Sequence, residues 1–145
     1  MPEAHLEMWT VRCDGGARGN PGPGAAAFVL TGPDGREREA KGEYLGAVTN
    51  NVAEYRALIA GLEAAARHGV RHLTVVMDSE LVVRQMTGEY RVKNEGLKPI
   101  HAEARRKVGA SADVQYRSVG REDNKRADQL VNETLDKVLG TESPR

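Results

Sequence analysis

The chain has 145 residues, and its 21 Lys and Arg balance 21 Asp and Glu, so the formal net charge at pH 7 is zero. One domain accommodates this length, and zero net charge excludes a global field that would draw the protein onto a polyanion or an anionic bilayer. The single cysteine, Cys13, excludes an internal disulfide, and no apolar run approaches the roughly 18 residues of a membrane span. Residues 1–7 also lack the features of a signal peptide, so we expect a soluble cytoplasmic protein with no membrane partner.

The first third of the chain predicts three antiparallel strands. Alternation over residues 6–13 and a β-rich run over residues 25–31 predict the first two. Asp14 closes the first strand in this interpretation and opens a glycine-rich turn. A second turn, at residues 32–35, leads to a third and more exposed strand at residues 36–45.

The rest of the chain predicts alternating helices and strands. A helix is expected over residues 51–68, with Asn50 or Asn51 as its cap and Gly69 as its end. Further elements are a buried parallel strand at residues 72–77, a helix capped by Ser79, a helix at 96–108, a strand at 114–119 and a closing helix at 124–139. This order predicts an α/β fold in one domain over residues 1–145. Its mixed five-stranded sheet carries packed helices, its core spans about residues 6–139, and residues 140–145 form a frayed tail.

Four acidic residues lie where a predicted strand ends or a predicted helix begins: Asp14, Glu54, Asp78 and Asp128. Glu54, in the first turn of its helix, and Asp128 share the apolar stripe of their helices, so we expect both side chains to point inward. Asn132, one turn after Asp128, is placed to reach the same ion or water. Each acid also has a structural alternative, as a turn residue, a helix cap or a partner of the helix dipole.

Taken together, the four acids predict a metal site with oxygen ligands. Such ligands favour Mg²⁺ or Mn²⁺ over Zn²⁺. Four carboxylates around a small volume repel one another, so the metal-free site is expected to be strained, partly protonated, or both.

These acids lie within four specific motifs: D-G-G-A-R-G-N-P-G-P-G from Asp14, T-N-N-x-x-E from Thr49, D-S at Asp78, and N-x-x-A-D ending at Asp128. With these motifs the chain resembles ribonuclease H type 1 from about residue 6 to residue 139, which implies the ribonuclease H fold. The resemblance implies that the four carboxylates are catalytic and bind two Mg²⁺ ions, with Mn²⁺ able to substitute. It also implies substrate contacts at Asn20, Thr49, Asn50, Asn51, Ser79 and Asn124.

The chain departs from many bacterial members of that family in two places. The stretch before the last carboxylate is V-G-R-E-D-N-K-R-A-D, which has no His, whereas those members carry a Gly- and His-rich loop there. The chain is similar instead to the archaeal and actinobacterial branch, so Arg121 takes the candidate catalytic role. Longer members of the family also carry a basic handle, a segment rich in Lys and Trp between the middle helices. This handle is missing here, because only G-E-Y-R-V-K-N-E-G joins those helices.

The resemblance implies an endoribonuclease that hydrolyses the RNA strand of RNA/DNA hybrids, leaves 5′-phosphate and 3′-hydroxyl ends, and acts as a monomer. Residues 84–126 supply local positive charge, with eleven Lys and Arg against six Asp and Glu, although a solvated helix face would look the same. A non-cleaving nucleic-acid-binding module of the same fold is the alternative. A third hypothesis is a broader nuclease that also cuts double-stranded RNA or ribonucleotides embedded in DNA.

Overall fold

Five strands form one mixed sheet in residues 7–108 and 113–140, the part of the chain that the computed structural model describes. The strands are β1 Met8–Ala17, β2 Gly22–Thr31, β3 Glu37–Val48, β4 His72–Met77 and β5 Asp113–Ser118. Their order across the sheet is β3-β2-β1-β4-β5. The pairs β1–β2 and β2–β3 are antiparallel, whereas β1–β4 and β4–β5 are parallel. The predicted fold class is confirmed.

Helices pack on both faces of this sheet. They are α1 Asn50–Arg67, α2 Glu80–Thr87, α3 Lys98–Val108 and α4 Lys125–Leu139, and a short 3₁₀ turn spans Arg121–Asp123. Successive side chains of a strand point to opposite faces, so β2 serves two cores. Its residues Ala26 and Phe28 belong to the main core with α1, whereas Ala25 and Ala27 contact α4.

The first strand runs four residues further than predicted. Asp14 pairs with Ala27 and the ladder continues to Ala17, so the prediction that Asp14 ends the strand was wrong. Glycines predict a turn because they are rare in strands. Gly15 is required in this strand because the backbone of α1 lies against it, and a Cβ on Gly15 would overlap the carbonyl oxygen of Ala53. Residue 6 of the predicted strand lies outside the described residues.

Helix α1 begins one residue earlier than predicted and is capped by Thr49, not by Asn50 or Asn51. The Thr49 hydroxyl accepts a hydrogen bond from the backbone N–H of Val52 at 3.3 Å. Glu54 was predicted in the first turn of this helix, but the structure places it beyond that turn. The predicted end is confirmed, since Gly69 follows the helix with a φ of 70°, in the left-handed region that favours glycine.

The later elements agree with the sequence pattern to within one or two residues. Strand β4 has the predicted bounds, and Ser79 caps α2 by accepting from Val82 N–H at 3.3 Å. Helix α3 begins at Lys98 and not at residue 96, because residues 95–97 form a turn. Residues 141–145 of the predicted tail lie outside the described residues. None of the helices in residues 7–108 and 113–140 is long and apolar enough to cross a membrane.

Candidate active site

Strand pairing brings two of the four acids together. Cys13 of β1 lies opposite Met77, the last residue of the parallel strand β4, so the next residues along each chain segment are neighbours. These are Asp14 and Asp78, whose carboxyl groups share a hydrogen bond. The centre of the sheet therefore holds two acids at the same level.

Glu54 joins them because α1 lies directly over β1. The contact is close enough that a Cβ on Gly15 would lie 2.6 Å from the backbone nitrogen of Glu54. The Glu54 carboxylate also forms a hydrogen bond with the hydroxyl of Ser79. Ser79 is buried, and its hydroxyl both caps α2 and fixes Glu54.

Asp128 lies in the first turn of α4, and its carboxyl group forms a hydrogen bond with Asp14. The side chain is exposed, so the prediction that it points inward was wrong. The buried stripe of α4 passes instead through Ala127, Val131 and Leu135. Asp128 lies at the border of that stripe, where it faces the cavity between α4 and β1.

All four acids line one cavity of about 360 Å³, together with Arg18, Asn50, Arg121 and Asn132. Asp14 is 8% exposed. Burial, followed by the negative charges of Asp78, Asp128 and Glu54, raises the pKa of Asp14 to about 8. Burial also raises the pKa of Glu54 to about 7, against the opposing effects of the Ser79 hydroxyl and Arg121. The pKa of Asp78 is raised, chiefly by burial.

Arg121 lies at the same cavity, on the 3₁₀ turn between β5 and α4. Its positive charge lowers the pKa of both Glu54 and Asp78. The guanidinium of Arg12 donates to the carbonyl oxygen of Asp123 at 3.0 Å, which ties this turn to β1. The arginine predicted to replace a loop His is thus beside two of the acids.

A second depression, of about 300 Å³, lies beside the first turn of α1. Its lining includes Asn20, Thr49, Asn51 and Asn94. The carbonyl oxygen of the Asn20 side chain accepts from the backbone N–H of Asn50 at 3.0 Å. The Asn50 side chain in turn accepts from Ala17 N–H at 2.9 Å and lines the acidic cavity. These amides hold the β1–β2 hairpin against α1.

Two residues differ from expectation. Asn124, predicted to contact substrate, is 1% exposed and lies behind Asp14, with its amide bound to the Cys13 carbonyl oxygen. Arg18, which the sequence interpretation did not select, lines the acidic cavity and forms an ion pair with Asp136 at 2.8 Å. It is the one cation in the glycine-rich motif, and that was the signal available in the sequence.

The donor set fits a divalent cation, although the side chains are not yet arranged around one. No group of three His, Cys, Asp or Glu side chains in the described residues is arranged to hold a metal ion. Asp14 instead forms hydrogen bonds with Asp78 and Asp128, whereas metal ligands must be deprotonated. The raised pKa of Asp14 reflects its burial first and the crowded negative charge second, and a cation bound by carboxylate oxygens would offset that charge.

Comparison with known proteins identifies the family. The family described as "Reverse transcriptase-like" matches residues 12–134. Ribonuclease HI of Halobacterium salinarum is 43% identical over 123 residues, covering 85% of this chain and 62% of the relative. A bifunctional protein of Mycobacterium tuberculosis is 38% identical over 148 residues, covering 92% of this chain and 41% of the relative. The chain thus spans less than two thirds of either relative.

Solved structures agree over nearly their whole length. RNase H1 from Halobacterium salinarum superposes with a TM-score of 0.86 at 41% identity, covering 90% of this chain and 98% of that one. LC11-RNase H1 in complex with an RNA/DNA hybrid gives a TM-score of 0.86 at 42% identity, covering 90% of this chain and 99% of that one. Members of this family depend on divalent metal. The chain belongs to the ribonuclease H family and is similar to its type 1 members.

Proposed function

We propose that the protein is an endoribonuclease that hydrolyses the RNA strand of RNA/DNA hybrids and leaves 5′-phosphate and 3′-hydroxyl ends. The supporting observation is the meeting of Asp14, Glu54, Asp78 and Asp128 at one cavity, from four separate elements. A module that only binds nucleic acid has no use for mutually repelling acids beside a polyanion. The hybrid bound to LC11-RNase H1 supports the same substrate class.

Mg²⁺ is the proposed cofactor, with two ions per site and Mn²⁺ able to substitute. Asp14 would be the shared ligand, Glu54 and Asp78 would complete one set of ligands, and Asp128 would complete the other. When bound, such ions activate the attacking water and stabilise the leaving 3′ oxygen.

The residues of the chain itself orient these ligands. Ser79 fixes Glu54, and Asp14 is held within a paired strand, so neither carboxylate depends on a mobile loop. Arg121 provides a positive charge beside Glu54 and Asp78, at a position suited to a phosphate oxygen or to the departing product. Its proposed role is to promote turnover.

RNA selection is assigned to the amides around the start of α1. The side-chain oxygens of Asn20 and Asn50 both accept backbone hydrogen bonds, which orients their NH₂ groups as donors. With Thr49 and Asn51 they form a polar rim able to recognise a ribose 2′-hydroxyl. The DNA strand would be recognised through its phosphates and sugar shape.

Positive charge for those phosphates comes from the basic segment at residues 84–126. Part of it is engaged within the protein, since Arg84, Lys98, Lys107 and Arg126 each form an ion pair. Affinity for the hybrid should still fall steeply as salt rises. The protein is proposed to bind the hybrid as a monomer, which light scattering would check.

The decisive experiment compares purified protein on a labelled hybrid, duplex RNA and duplex DNA, with and without Mg²⁺. We expect Mg²⁺-dependent cuts in the RNA strand of the hybrid, and Asp14→Asn should abolish them while the circular dichroism spectrum is retained. Binding without cutting in every metal would favour the binding module. Comparable cutting of duplex RNA would indicate the broader nuclease.

A further inference from the structure

Asn124 links the start of α4 to the strand that carries Asp14. Its side-chain NH₂ donates to the backbone carbonyl oxygen of Cys13 at 2.9 Å, across 111 residues of sequence. Cys13 directly precedes Asp14, and Asn124 precedes Asp128 by about one helical turn. The hydrogen bond therefore joins the two segments at the level of the two carboxylates.

Helix capping does not explain this side chain. Asn124 occupies the N-cap position of α4, yet it makes no side-chain capping hydrogen bond. Its amide points away from the helix toward β1. Stability also gives no reason for an amide here, because its Oδ1 has no hydrogen-bond partner among residues 7–108 and 113–140. A buried unpaired oxygen costs about 1–3 kcal/mol.

The other contacts of α4 with the sheet are either apolar, and so not directional, or exposed to water. Its apolar side chains Val131 and Leu135 pack on Ala25 and Ala27 of β2, a contact that is not directional. The ion pairs of Arg126 with Glu37 and of Arg18 with Asp136, and the bond from Arg12 to the turn before α4, all lie at the surface, where water competes for them. The Asn124 bond is shielded from water, so it keeps its strength and direction.

We infer that Asn124 is a positioning residue that holds Asp128 against Asp14, so that both carboxylates face the same divalent cation. This inference rests on the proposed function, since it assigns Asn124 a role at that site. Asn124 itself touches neither the substrate nor the cation. Loss of its amide should leave α4 folded but let Asp128 drift from Asp14.

The test uses Asn124→Ala and Asn124→Leu, the second of which keeps the approximate size of the side chain without its amide. Leu73→Ala is the control for general destabilisation, because Leu73 is buried in β4 near the end of the strand away from Asp78. Three quantities are compared: kcat and KM on the hybrid, Mn²⁺ affinity by calorimetry without substrate, and hybrid affinity in EDTA. Unfolding curves set an assay temperature at which each variant is folded.

Both Asn124 variants should lower kcat and Mn²⁺ affinity by roughly 10- to 100-fold, the range typical of residues that orient metal ligands. KM and the metal-free hybrid affinity should change by less than about twofold, because the substrate surface is intact. Leu73→Ala should lose stability but keep kcat and Mn²⁺ affinity.

If Asn124→Leu keeps the kcat and the Mn²⁺ affinity of the wild type, the inference is overturned, because a side chain of similar size without the amide would then position Asp128 equally well. Equal losses in Leu73→Ala would overturn it too, since they would reflect general loosening. A wild-type protein that binds Mn²⁺ but leaves the hybrid uncut would refute the proposed function instead. The calorimetric comparison would still decide whether Asn124 positions the site.

Discussion

Asp78 lies beside Asp14 because β4 ends at Met77, opposite Cys13, whereas β1 continues through Asp14 into the hairpin. The two acids therefore meet where β4 ends beside the continuing strand β1. Burial then acts on Asp14 more strongly than any single neighbouring charge, and the three other acids add to it. The cavity is consequently a source of instability in the metal-free protein.

The first prediction concerns this instability. An unfolded Asp titrates near pH 4, whereas folded Asp14 has a pKa of about 8. Between these values the folded state keeps a proton that the unfolded state has released. The contribution of Asp14 to the free energy of unfolding is therefore fully present below about pH 4 and is lost as the pH rises through 8. In EDTA at pH 9, Asp14→Asn should unfold about 5 °C above wild type, on the order of 2 kcal/mol.

That gap should close as the pH approaches 4, where the wild-type carboxyl is neutral. Asp34→Asn provides the control, because Asp34 is a turn residue whose pKa is lowered by hydrogen bonds from Arg36 and Arg38. It should give no gain in melting temperature at pH 9. If the difference in melting temperature between wild type and Asp14→Asn stays constant from pH 4 to 9, the pKa of Asp14 is not raised in the folded protein.

The second prediction uses two adjacent glycines with different surroundings. A Cβ on Gly15 would overlap the backbone of Ala53, whereas on Gly16 the nearest atom, Oδ1 of Asn50, would be 4.0 Å away. Gly15→Ala should therefore destabilise the protein by about 1–3 kcal/mol and suppress cleavage, because α1 must move and takes Glu54 with it. Gly16→Ala should be close to neutral in urea unfolding and in activity. Similar unfolding midpoints for both variants would contradict the close approach of α1 to β1.

The third prediction concerns Arg121, which lowers the pKa of Glu54 and Asp78. Arg121→Ala should raise both pKa values, so the acidic limb of kcat/KM against pH should move to higher pH. Turnover should fall by about 10²- to 10³-fold, the scale of losing one charge-stabilising donor, with a smaller loss of hybrid affinity.

Arg126→Ala is the matched control for Arg121, because Arg126 follows on the same segment but pairs with Glu37 at 3.0 Å, at the start of β3. Arg126→Ala should leave the dependence of kcat/KM on pH unchanged. An Arg121→Ala profile that coincides with wild type would remove Arg121 from the site.

The accuracy of the sequence interpretation varied with how local the deciding interactions are. Strand β4 and the cap of α2, Ser79, were predicted because an apolar β-branched run followed by a capping residue is a local signal. Asp14 was placed at a strand end because the glycines that follow it predict a turn, and only the nearby backbone of α1 explains why the strand has Gly15. Local patterns therefore identified the acidic residues, whereas the position of Asp14 within its strand depends on a tertiary contact.

Two further residues show the same limit. Helical periodicity places Asp128 within about 100° of the buried stripe, which is too coarse to separate an inward side chain from one at its border. The motif that contains Asn124 suggested substrate contact, but no pattern in the sequence indicates that its amide binds Cys13. Links between distant segments of this kind become visible only in the folded chain.

The fourth prediction concerns Arg18, a cation at the rim of the acidic cavity. Its guanidinium contacts Asp136 at 2.8 Å and the side-chain oxygen of Asn132 at 3.4 Å, and about a third of each side chain of the Arg18–Asp136 pair is exposed. Asp136 holds Arg18 on the side of α4 and competes with any phosphate that reaches it. Asp136→Asn should therefore strengthen hybrid binding, whereas Arg18→Ala should weaken it and reduce the slope of log K against log salt by about one.

The double variant Arg18→Ala, Asp136→Asn should match Arg18→Ala in hybrid affinity, because the proposed effect of Asp136 runs through its ion pair with Arg18. Arg36→Ala is the control, since Arg36 is an exposed arginine that also pairs with an aspartate, Asp34, but in the β2–β3 turn. It should change neither affinity nor salt slope. If the Arg18–Asp136 pair is only structural, each single variant will lose roughly 0.2–1 kcal/mol of stability with unchanged binding, and Arg18 will then have no part in holding the substrate.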